Sequence, residues 1–476
     1  MGILDSIKNI LSTDTGNGEF SSIMDRKVSS KMKKMDKEAN TALSNGDSII
    51  RIIDISPNLY LACRAAKICV GRTVKEGPIE DRINFISKIM KAGHESVIEH
   101  TNIIALLHIS NIDNIIDWSE LLSNAKFIDL SVSRNSSNIL LGGSIRGYLH
   151  ILRETNAENT YIPYIKEILY QSVEKVFLQS CIDEGLLDQD RCTYYPNATV
   201  DMIPSKMTQF KNKEEKESLE NKVTDNYDSI SKFMIDPKEK QSVYSDMIYH
   251  TDINNLIEEI IPYGFSELDA YKMARVSFIF HDISRSCGNQ LCRHRDAISQ
   301  ESQRYVSKEY ETEDFVNPVY MEFDNTDRYK DSDKEYIKKI IDNIDVFETY
   351  NTLRKNKVYK EDARAWLPMN VKTRMMMTFS YWNYAKFLKL RLDKAAQLEI
   401  RKVAKDSANH LFDTKDKIVE FINKAIKYGF KDREVTNIDD SDIVNDENSI
   451  KPMNISDEKN AEKIMNLNDD YKKLGE

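Results

Sequence analysis

The sequence predicts an α+β fold in which one mixed core domain with long helices is interrupted by a mostly helical insertion. Short apolar runs of strand length, such as 51–55 and 101–110, alternate with segments whose apolar residues recur at helical spacing. A dense charge run occupies 211–222, but the core pattern returns at 270–280. Because core-like sequence stands on both sides of it, the insertion interrupts one domain instead of separating two.

These patterns divide the chain into an ordered series of segments. We expect a polar N-terminal lead-in over 1–48, a core formed by 49–153 and 268–425, an inserted helical subdomain over 154–267, and an acidic, flexible tail over 426–476.

Composition limits the classes of function. With 476 residues and 41% hydrophobic content, the chain can bury a sizeable core. Its net charge of −10 argues against a nucleic-acid partner, so anionic substrates would have to be held by local positive charge. The six cysteines show no CxxC pair, and no apolar run approaches the length of a membrane span. We therefore expect a cytoplasmic protein with no structural zinc and no membrane partner.

The elements of the first half follow from apolar spacing. The predicted order is a strand at 51–55, helices at 59–70 and 81–91, a strand at 101–110, a helix at 117–128, and a buried strand over 138–146 that enters a glycine turn and a helix. Gly142 and Gly143 in that turn would allow a ligand to approach the backbone closely.

The second half leads into its most polar stretch. Buried segments are predicted at 270–280 and 371–378, and helices at 334–353 and 381–412, the last being the longest. Arg391 falls inside the apolar stripe of that longest helix. A buried arginine needs a partner, which is either a protein carboxylate or the anion of a ligand.

Residues 284–305 gather four arginines, a histidine and several hydroxyls. Forked guanidinium groups suit bidentate capture of a phosphate or of a planar polar ring, although a surface charge cluster is the alternative. If 283–293 is helical, Gln290 and Arg293 share a face. If 302–305 is extended, Ser302 and Arg304 also point the same way.

Residues 94–100 contain two histidines five residues apart, each beside a glutamate. Helical metal-ligand pairs favour a spacing of four, and no cysteine or third histidine is near in sequence, so we predict no metal. A helix start capped by Glu95 and Ser96 is the simpler interpretation of this stretch.

Three stretches in this order resemble the motifs of the flavin-dependent thymidylate synthases. They are Gly93 to His100, then Arg293-His294-Arg295 followed by Ser302-Gln303-Arg304-Tyr305, and finally Arg391 to Arg401. The resemblance covers roughly 50–153 and 268–425, and it implies the mixed core domain of that family. Six residues separate Arg295 from Ser302, where the family normally has seven.

The resemblance implies conversion of dUMP to dTMP, with methylene-tetrahydrofolate as carbon donor, FAD as hydride carrier and NADPH as reductant. It implies a homo-oligomer, a tetramer as in the family. Arg391 and Ser302 would act on the reacting ring. The dUMP site would comprise Gln290, Arg293, Ser302, Arg304, Arg364 and Arg391, and the FAD site would comprise His94, Ser96, Glu99, Arg293, His294 and Arg295.

Two departures keep alternatives open. Ser380 and Trp382 stand where many relatives have asparagine and arginine in contact with FAD. The chain could therefore be a nucleotide-binding homologue that has lost flavin, or an enzyme that makes another C5-modified product such as hydroxymethyl-dUMP.

Overall fold

The computed structural model describes residues 49–72, 79–108, 115–133, 138–173, 175–187, 244–306, 309–317, 321, 323, 329–342, 347–393 and 395–427. Over these residues the chain forms two four-stranded antiparallel sheets surrounded by helices, which confirms the mixed α+β class. The predicted lead-in over 1–48, the charge run at 211–222 and nearly all of the predicted tail lie outside the described residues.

The first sheet has the order β1-β2-β4-β3, formed by β1 (Ile49–Ile55), β2 (Ile103–His108), β3 (Ile128–Val132) and β4 (Asn138–Gly143). Every residue of β2 and β4 is buried, because helices cover both faces of the sheet. One face packs against α1 (Asn58–Cys69), α2 (Ile79–Lys91), α4 (Ile145–Glu154), α5 (Ile162–Ser172) and α6 (Lys175–Asp183). The helix α3 (Ile115–Asn124) precedes β3.

The second sheet has the order β5-β6-β8-β7, formed by β5 (Ser245–His250), β6 (Arg275–Ser284), β7 (Ala297–Gln300) and β8 (Lys372–Ser380). Two helices, α7 (Ile253–Ile260) and α8 (Glu267–Met273), contribute Leu256 and Met273 to the same buried core as Ile104 of β2. Among the described residues, no helix is long and apolar enough to cross a membrane.

The remaining helices follow the second sheet in sequence. They are α9 (Arg285–Leu291), α10 (Asp331–Asp342), α11 (Glu348–Lys355), α12 (Lys360–Ala363), α13 (Tyr381–Arg391), α14 (Leu398–Ala408) and α15 (Lys415–Lys427). A small separate core, formed by Tyr310, Phe347, Tyr350, Ala363 and Val371, holds α11 and α12 together.

The predicted long helix over 381–412 is wrong, since α13 ends at Arg391 and α14 begins at Leu398. Between them the Asp393 side chain accepts a hydrogen bond from the Ala395 backbone N–H at 2.8 Å, which closes a turn. The apolar spacing continues through the break because both helices bury residues in the same core.

The predicted insertion over 154–267 contains helices, as expected, and also the strand β5, which belongs to the second sheet. The helix α5 packs on the first sheet and α6 packs against α2, whereas β5 pairs with β6, with Ser245 opposite Phe280. We infer that the second half of the core begins before residue 245, which is earlier than the sequence pattern indicated.

Candidate functional site

The two helices that carry the predicted nucleotide-binding residues leave opposite ends of the second sheet. Strands β6 and β8 are antiparallel neighbours, so α9 follows β6 at one end and α13 follows β8 at the other. Both helices fold back over the same face of the sheet, where Leu291 and Phe387 share a core. Their C-terminal ends therefore meet.

The start of α9 is fixed by two side chains. The Ser284 hydroxyl accepts a hydrogen bond from the Cys287 N–H at 2.9 Å and so caps the helix. The backbone N–H and hydroxyl of Ser284 donate to the two carboxylate oxygens of Glu399, each at 2.7 Å. Burial raises the pKa of Glu399, although both hydrogen bonds favour its charged form. Glu399 thus joins α14 to the start of the arginine-rich segment.

At the other end of α9, Arg391 meets the predicted ligand residues. Its Nε donates to His294 Nε2 at 3.1 Å, and a terminal nitrogen lies 3.4 Å from the carbonyl oxygen of Gln290. Burial and the Arg391 charge lower the pKa of His294 to about 4, so the imidazole is neutral and can accept. Burial and the nearby charge of Arg293 lower the pKa of Arg391. The structure therefore brings together Gln290, Arg293, His294 and Arg391.

Sequence alone left the partner of Arg391 undecided between a protein carboxylate and a ligand anion. Within the described residues, no carboxylate forms an ion pair with Arg391, and both of its hydrogen-bond partners are neutral. The guanidinium is partly exposed. This arrangement favours the ligand anion.

A second arginine group lies near the start of α9. Arg285 approaches the carbonyl oxygen of Glu301 at 3.3 Å, while the Glu301 carboxylate lies 3.4 Å from Arg374. Burial and the charge of Arg364 are among the causes that lower the pKa of Arg285. The motifs indicate a ligand role for Arg364 but none for Arg285 or Arg374, whose neighbours are distant in the chain.

The segment 302–305 is a turn, so the extended conformation that would have placed Ser302 and Arg304 on one side is not present. The Ser302 hydroxyl accepts from the Arg304 N–H at 3.2 Å, and the Ser302 carbonyl accepts from the N–H of Tyr305 at 3.1 Å. Serine often closes such turns through its own hydroxyl. The Ser302 N–H donates to the carbonyl of Cys69 in α1 at 3.0 Å, and the Arg304 side chain is exposed.

Residues Glu95–His100 form a 3-10 helix. Its N-cap residue is His94 and no side chain caps it, so the predicted capping is wrong. The carboxylates turn toward arginines instead, with Glu95 2.7 Å from Arg153 and Glu99 paired with Arg146. The Arg146 guanidinium lies 4.4 Å from the centre of the Phe127 ring.

The predicted residues fall into three groups within one chain. Among the described contacts, no hydrogen bond or ion pair joins the side chains of His94 or Ser96 to His294 or Arg295. Likewise, none joins Ser302 to Arg391. The third group is the cluster of α9 and α13 described above.

The glycine turn serves packing, which corrects the expectation of a ligand contact there. A Cβ at Gly143 would lie 2.6 Å from the Phe127 carbonyl oxygen, and one at Gly142 would meet the Met273 side chain. Gly288 in α9 has a different neighbour, since a Cβ there would lie 2.8 Å from Gln300 Nε2.

Two polar groups beside Gly288 were missed by sequence analysis. Among the described residues, Gln300 Nε2 and Thr373 Oγ1 are buried and have no hydrogen-bond partner in the protein. Buried polar groups are normally satisfied by protein, by ordered water or by a ligand. At the junction of α9, β7 and β8, these two groups could therefore bind a polar group of a ligand or an ordered water molecule.

Ser380 and Trp382, the two positions that differ from many relatives, have local contacts at the start of α13. Ser380 caps the helix by accepting from the Asn383 N–H at 3.1 Å, and its own N–H donates to Asp296 at 3.1 Å. The Lys386 ammonium lies 5.0 Å from the centre of the Trp382 ring. Across the part of the chain that the structure describes, no group of three or more His, Cys, Asp or Glu residues could hold a metal ion.

Comparison with known proteins identifies relatives. Residues 204–414 match the family model described as thymidylate synthase complementing protein. A flavin-dependent thymidylate synthase of Pyrococcus furiosus is 33% identical over 162 residues, which is 33% of this chain and 62% of that relative. One from Mycolicibacterium vanbaalenii is 32% identical over 166 residues, covering 33% of this chain and 64% of the relative. The chain thus spans less than two thirds of the length of these relatives.

The matched region contains the motifs at 284–305 and 391–401, whereas the motif at 93–100 lies outside it. The predicted resemblance is confirmed, since residues 204–414 match this family model and the relatives at about 33% identity are named flavin-dependent thymidylate synthase.

Proposed function

We propose that this chain converts dUMP to dTMP in the cytoplasm by reductive methylation, with methylene-tetrahydrofolate as carbon donor, FAD as hydride carrier and NADPH as reductant. The observation that carries the proposal is Arg391, a partly buried cation whose protein partners are a neutral histidine and a carbonyl oxygen. The relatives named flavin-dependent thymidylate synthase support the reaction class.

Arg391 would stabilise negative charge that develops on the uracil ring when its C5 becomes nucleophilic. A preorganised cation in a site that excludes water is worth more than the same cation in water, and it needs no reorganisation during the reaction. The neutral imidazole of His294 orients the guanidinium without neutralising it. The backbone carbonyl of Gln290 lies against the same guanidinium, while its side-chain amide donates to Gln397; we propose that the remaining amide oxygen meets the uracil ring.

The phosphate of dUMP would be held by Arg293, Arg304 and Arg364. Among the described residues none of these three guanidinium groups forms an ion pair with a carboxylate, and all are at least partly exposed. Ser302 would orient the nucleotide through its turn. Fixing the phosphate exchanges translational freedom for orientation of the ring.

The residues present fit a flavin along one wall. His94 and Ser96 are exposed, and among the described contacts their side chains have no partner, while His294 is neutral and Arg295 is exposed. The Glu99 carboxylate is already paired with Arg146, so this pair would line the wall as a unit. FAD supplies hydride transfer, and the protein's part is to bind and orient it.

We propose a homotetramer as the working form. Among the described residues, no direct hydrogen bond joins the side chains of His94 or Ser96 to His294, or Ser302 to Arg391, and a complete site would combine such groups from neighbouring copies. Closed symmetric assemblies are the usual form of soluble homo-oligomers.

A second candidate is a nucleotide-binding relative that has lost flavin. The observation that favours it is Ser380, whose hydroxyl serves as a helix cap while its N–H is taken by Asp296. Neither group is then available to a flavin at this position.

The visible absorption spectrum of the purified protein, recorded before and after addition of FAD, tests the proposal. We expect flavin bands near about 450 nm that bleach with NADPH under anaerobic conditions, and faster when dUMP is present. Protein that retains or binds no flavin at micromolar concentration, yet binds dUMP, would establish the second candidate instead. Chromatography of the nucleotide product distinguishes dTMP from hydroxymethyl-dUMP.

A further inference from the structure

His100, at the end of the 3-10 helix Glu95–His100, lies between the two sheets. Its side chain is 0% exposed, and both ring nitrogens have hydroxyl partners. Nδ1 lies 3.0 Å from Thr378 Oγ1 of β8, and Nε2 lies 3.0 Å from Ser299 Oγ of β7. One imidazole thus connects the segment of the predicted flavin wall to two strands of the second sheet.

The hydrogen bonds continue beyond these hydroxyls. Thr378 Oγ1 lies 2.7 Å from Ser277 Oγ in β6, and the Ser299 side chain bonds to the Cys69 thiol. Ser277, Ser299 and Thr378 are all buried. The result is a continuous polar chain through an apolar core, in which each missing partner would leave a buried group unsatisfied.

Burial lowers the pKa of His100 to about 3, so the imidazole is neutral at physiological pH. A neutral ring has one donor and one acceptor nitrogen. The hydroxyls on its two sides must therefore play opposite roles, which fixes the direction of the whole chain and the orientation of the ring.

Two predicted ligand segments meet at this imidazole. Glu99 precedes His100, and His94 and Ser96 stand in the same short helix. Ser299 lies between Arg295 and Ser302, and its partner Cys69 offers the carbonyl that accepts from the Ser302 N–H at 3.0 Å. A shift of the His100 ring would move the turn at Ser302.

We propose that His100 is a positioning residue, which holds the flavin-wall helix and the Ser302 turn in register. The proposal rests on the proposed function, since it assigns His100 to those two ligand sites. His100 touches no ligand; it acts through Ser299 on the nucleotide side and through its own helix on the flavin side.

Two substitutions of His100 by amide residues distinguish a positioning role from a role in packing alone. The glutamine amide of His100→Gln reaches about as far as Nε2 and keeps the contact with Ser299, whereas His100→Asn reaches about as far as Nδ1 and keeps the contact with Thr378. We expect His100→Asn to weaken dUMP binding about tenfold, and His100→Gln to retain most of it. Ser299→Ala should reproduce the loss with His100 intact, and Thr378→Val should not.

The measurements are dUMP binding by calorimetry, FAD binding by absorbance and the unfolding midpoint of each full-length variant. The matched control is His108→Asn, because His108 is also buried, lies at the other end of β2 and bonds to Asn138. If dUMP affinity follows the unfolding midpoint across all five variants, with no difference between the Gln and Asn forms, His100 only packs and the inference fails. A wild-type chain that binds neither dUMP nor FAD would instead overturn the proposed function, and this inference with it.

Discussion

At the residue scale, the pairing of His294 with Arg391 shows how a cation is kept ready for a ligand. A carboxylate at the same place would hold the guanidinium more tightly and would cancel its charge. A neutral imidazole 3.1 Å away orients the group and leaves the charge. The aromatic ring of Phe387, whose centre is 5.1 Å from that of His294, packs edge-to-face against the imidazole and supports its orientation.

The half-buried His294 and the fully buried His100 make stability depend on pH. The ordinary pKa of histidine is 6.5, and burial lowers it to about 4 in His294 and to about 3 in His100. On acidification below 6.5 the unfolded chain therefore binds protons that the folded chain does not, and the free energy of unfolding falls. Burial raises the pKa of Asp296 from 3.8 to about 6. Between about pH 6 and pH 3.8 the folded chain therefore binds a proton here that the unfolded chain does not, and this group raises the free energy of unfolding on acidification.

We predict that Asp296→Asn makes the chain more sensitive to acid, because it removes the group that opposes the two histidines. Urea unfolding at pH 7 and pH 5 should show a larger loss of stability in the variant than in the wild type. Equal losses in the two proteins would contradict the assignment of a raised pKa to Asp296.

At the scale of elements, α9 depends on a residue more than one hundred positions away. Glu399 in α14 accepts from both the N–H and the hydroxyl of Ser284, and Gln397 accepts from the Gln290 side chain near the other end of α9. The helix α9 has only seven residues, which is too short to be stable alone. Its geometry is therefore set by these contacts with the segment that follows Arg391.

We predict that Glu399→Ala lowers the free energy of unfolding by about 1–3 kcal/mol, because two donors of Ser284 lose their partner in a buried place. It should also raise the KM for dUMP, since α9 would no longer hold Gln290 and Arg293 in position. Urea unfolding and steady-state kinetics measure both. The control is Glu335→Ala on α10, where an exposed pair with Lys339 at 3.1 Å should contribute less than about 1 kcal/mol. Similar losses in both variants would contradict the role of Glu399.

At the scale of the whole molecule, sequence patterns predicted the mixed class and most of the elements around the motifs, but they did not predict the strands β3 and β7. They could not predict the break after Arg391, since both helices bury the same core and the apolar spacing continues. They missed the pairing of Glu99 with Arg146 and of Glu399 with Ser284, because these contacts join residues far apart in the chain. The strand β5 was hidden within the insertion, where Asp246 and His250 interrupt its apolar pattern.

The separation of the predicted site into groups leads to a prediction about assembly. Arg391 and Gln290 contact each other within one chain, whereas no described contact joins either to Arg304. If copies share sites, an Arg391→Gln chain and an Arg304→Gln chain are each inactive, but a mixed oligomer contains some sites with both arginines. Unfolding and refolding the two variants together should therefore restore part of the proposed conversion of dUMP.

The matched control combines Arg391→Gln with Gln290→Ala. Because these two positions belong to the same chain at every site, each site in the mixed oligomer would carry one defect, and activity should stay at the level of the separate variants. Recovery in the control, or none in the test mixture despite formation of mixed oligomers, would place the whole site within one copy. Recovery in the test mixture alone would show that neighbouring copies complete each other's sites.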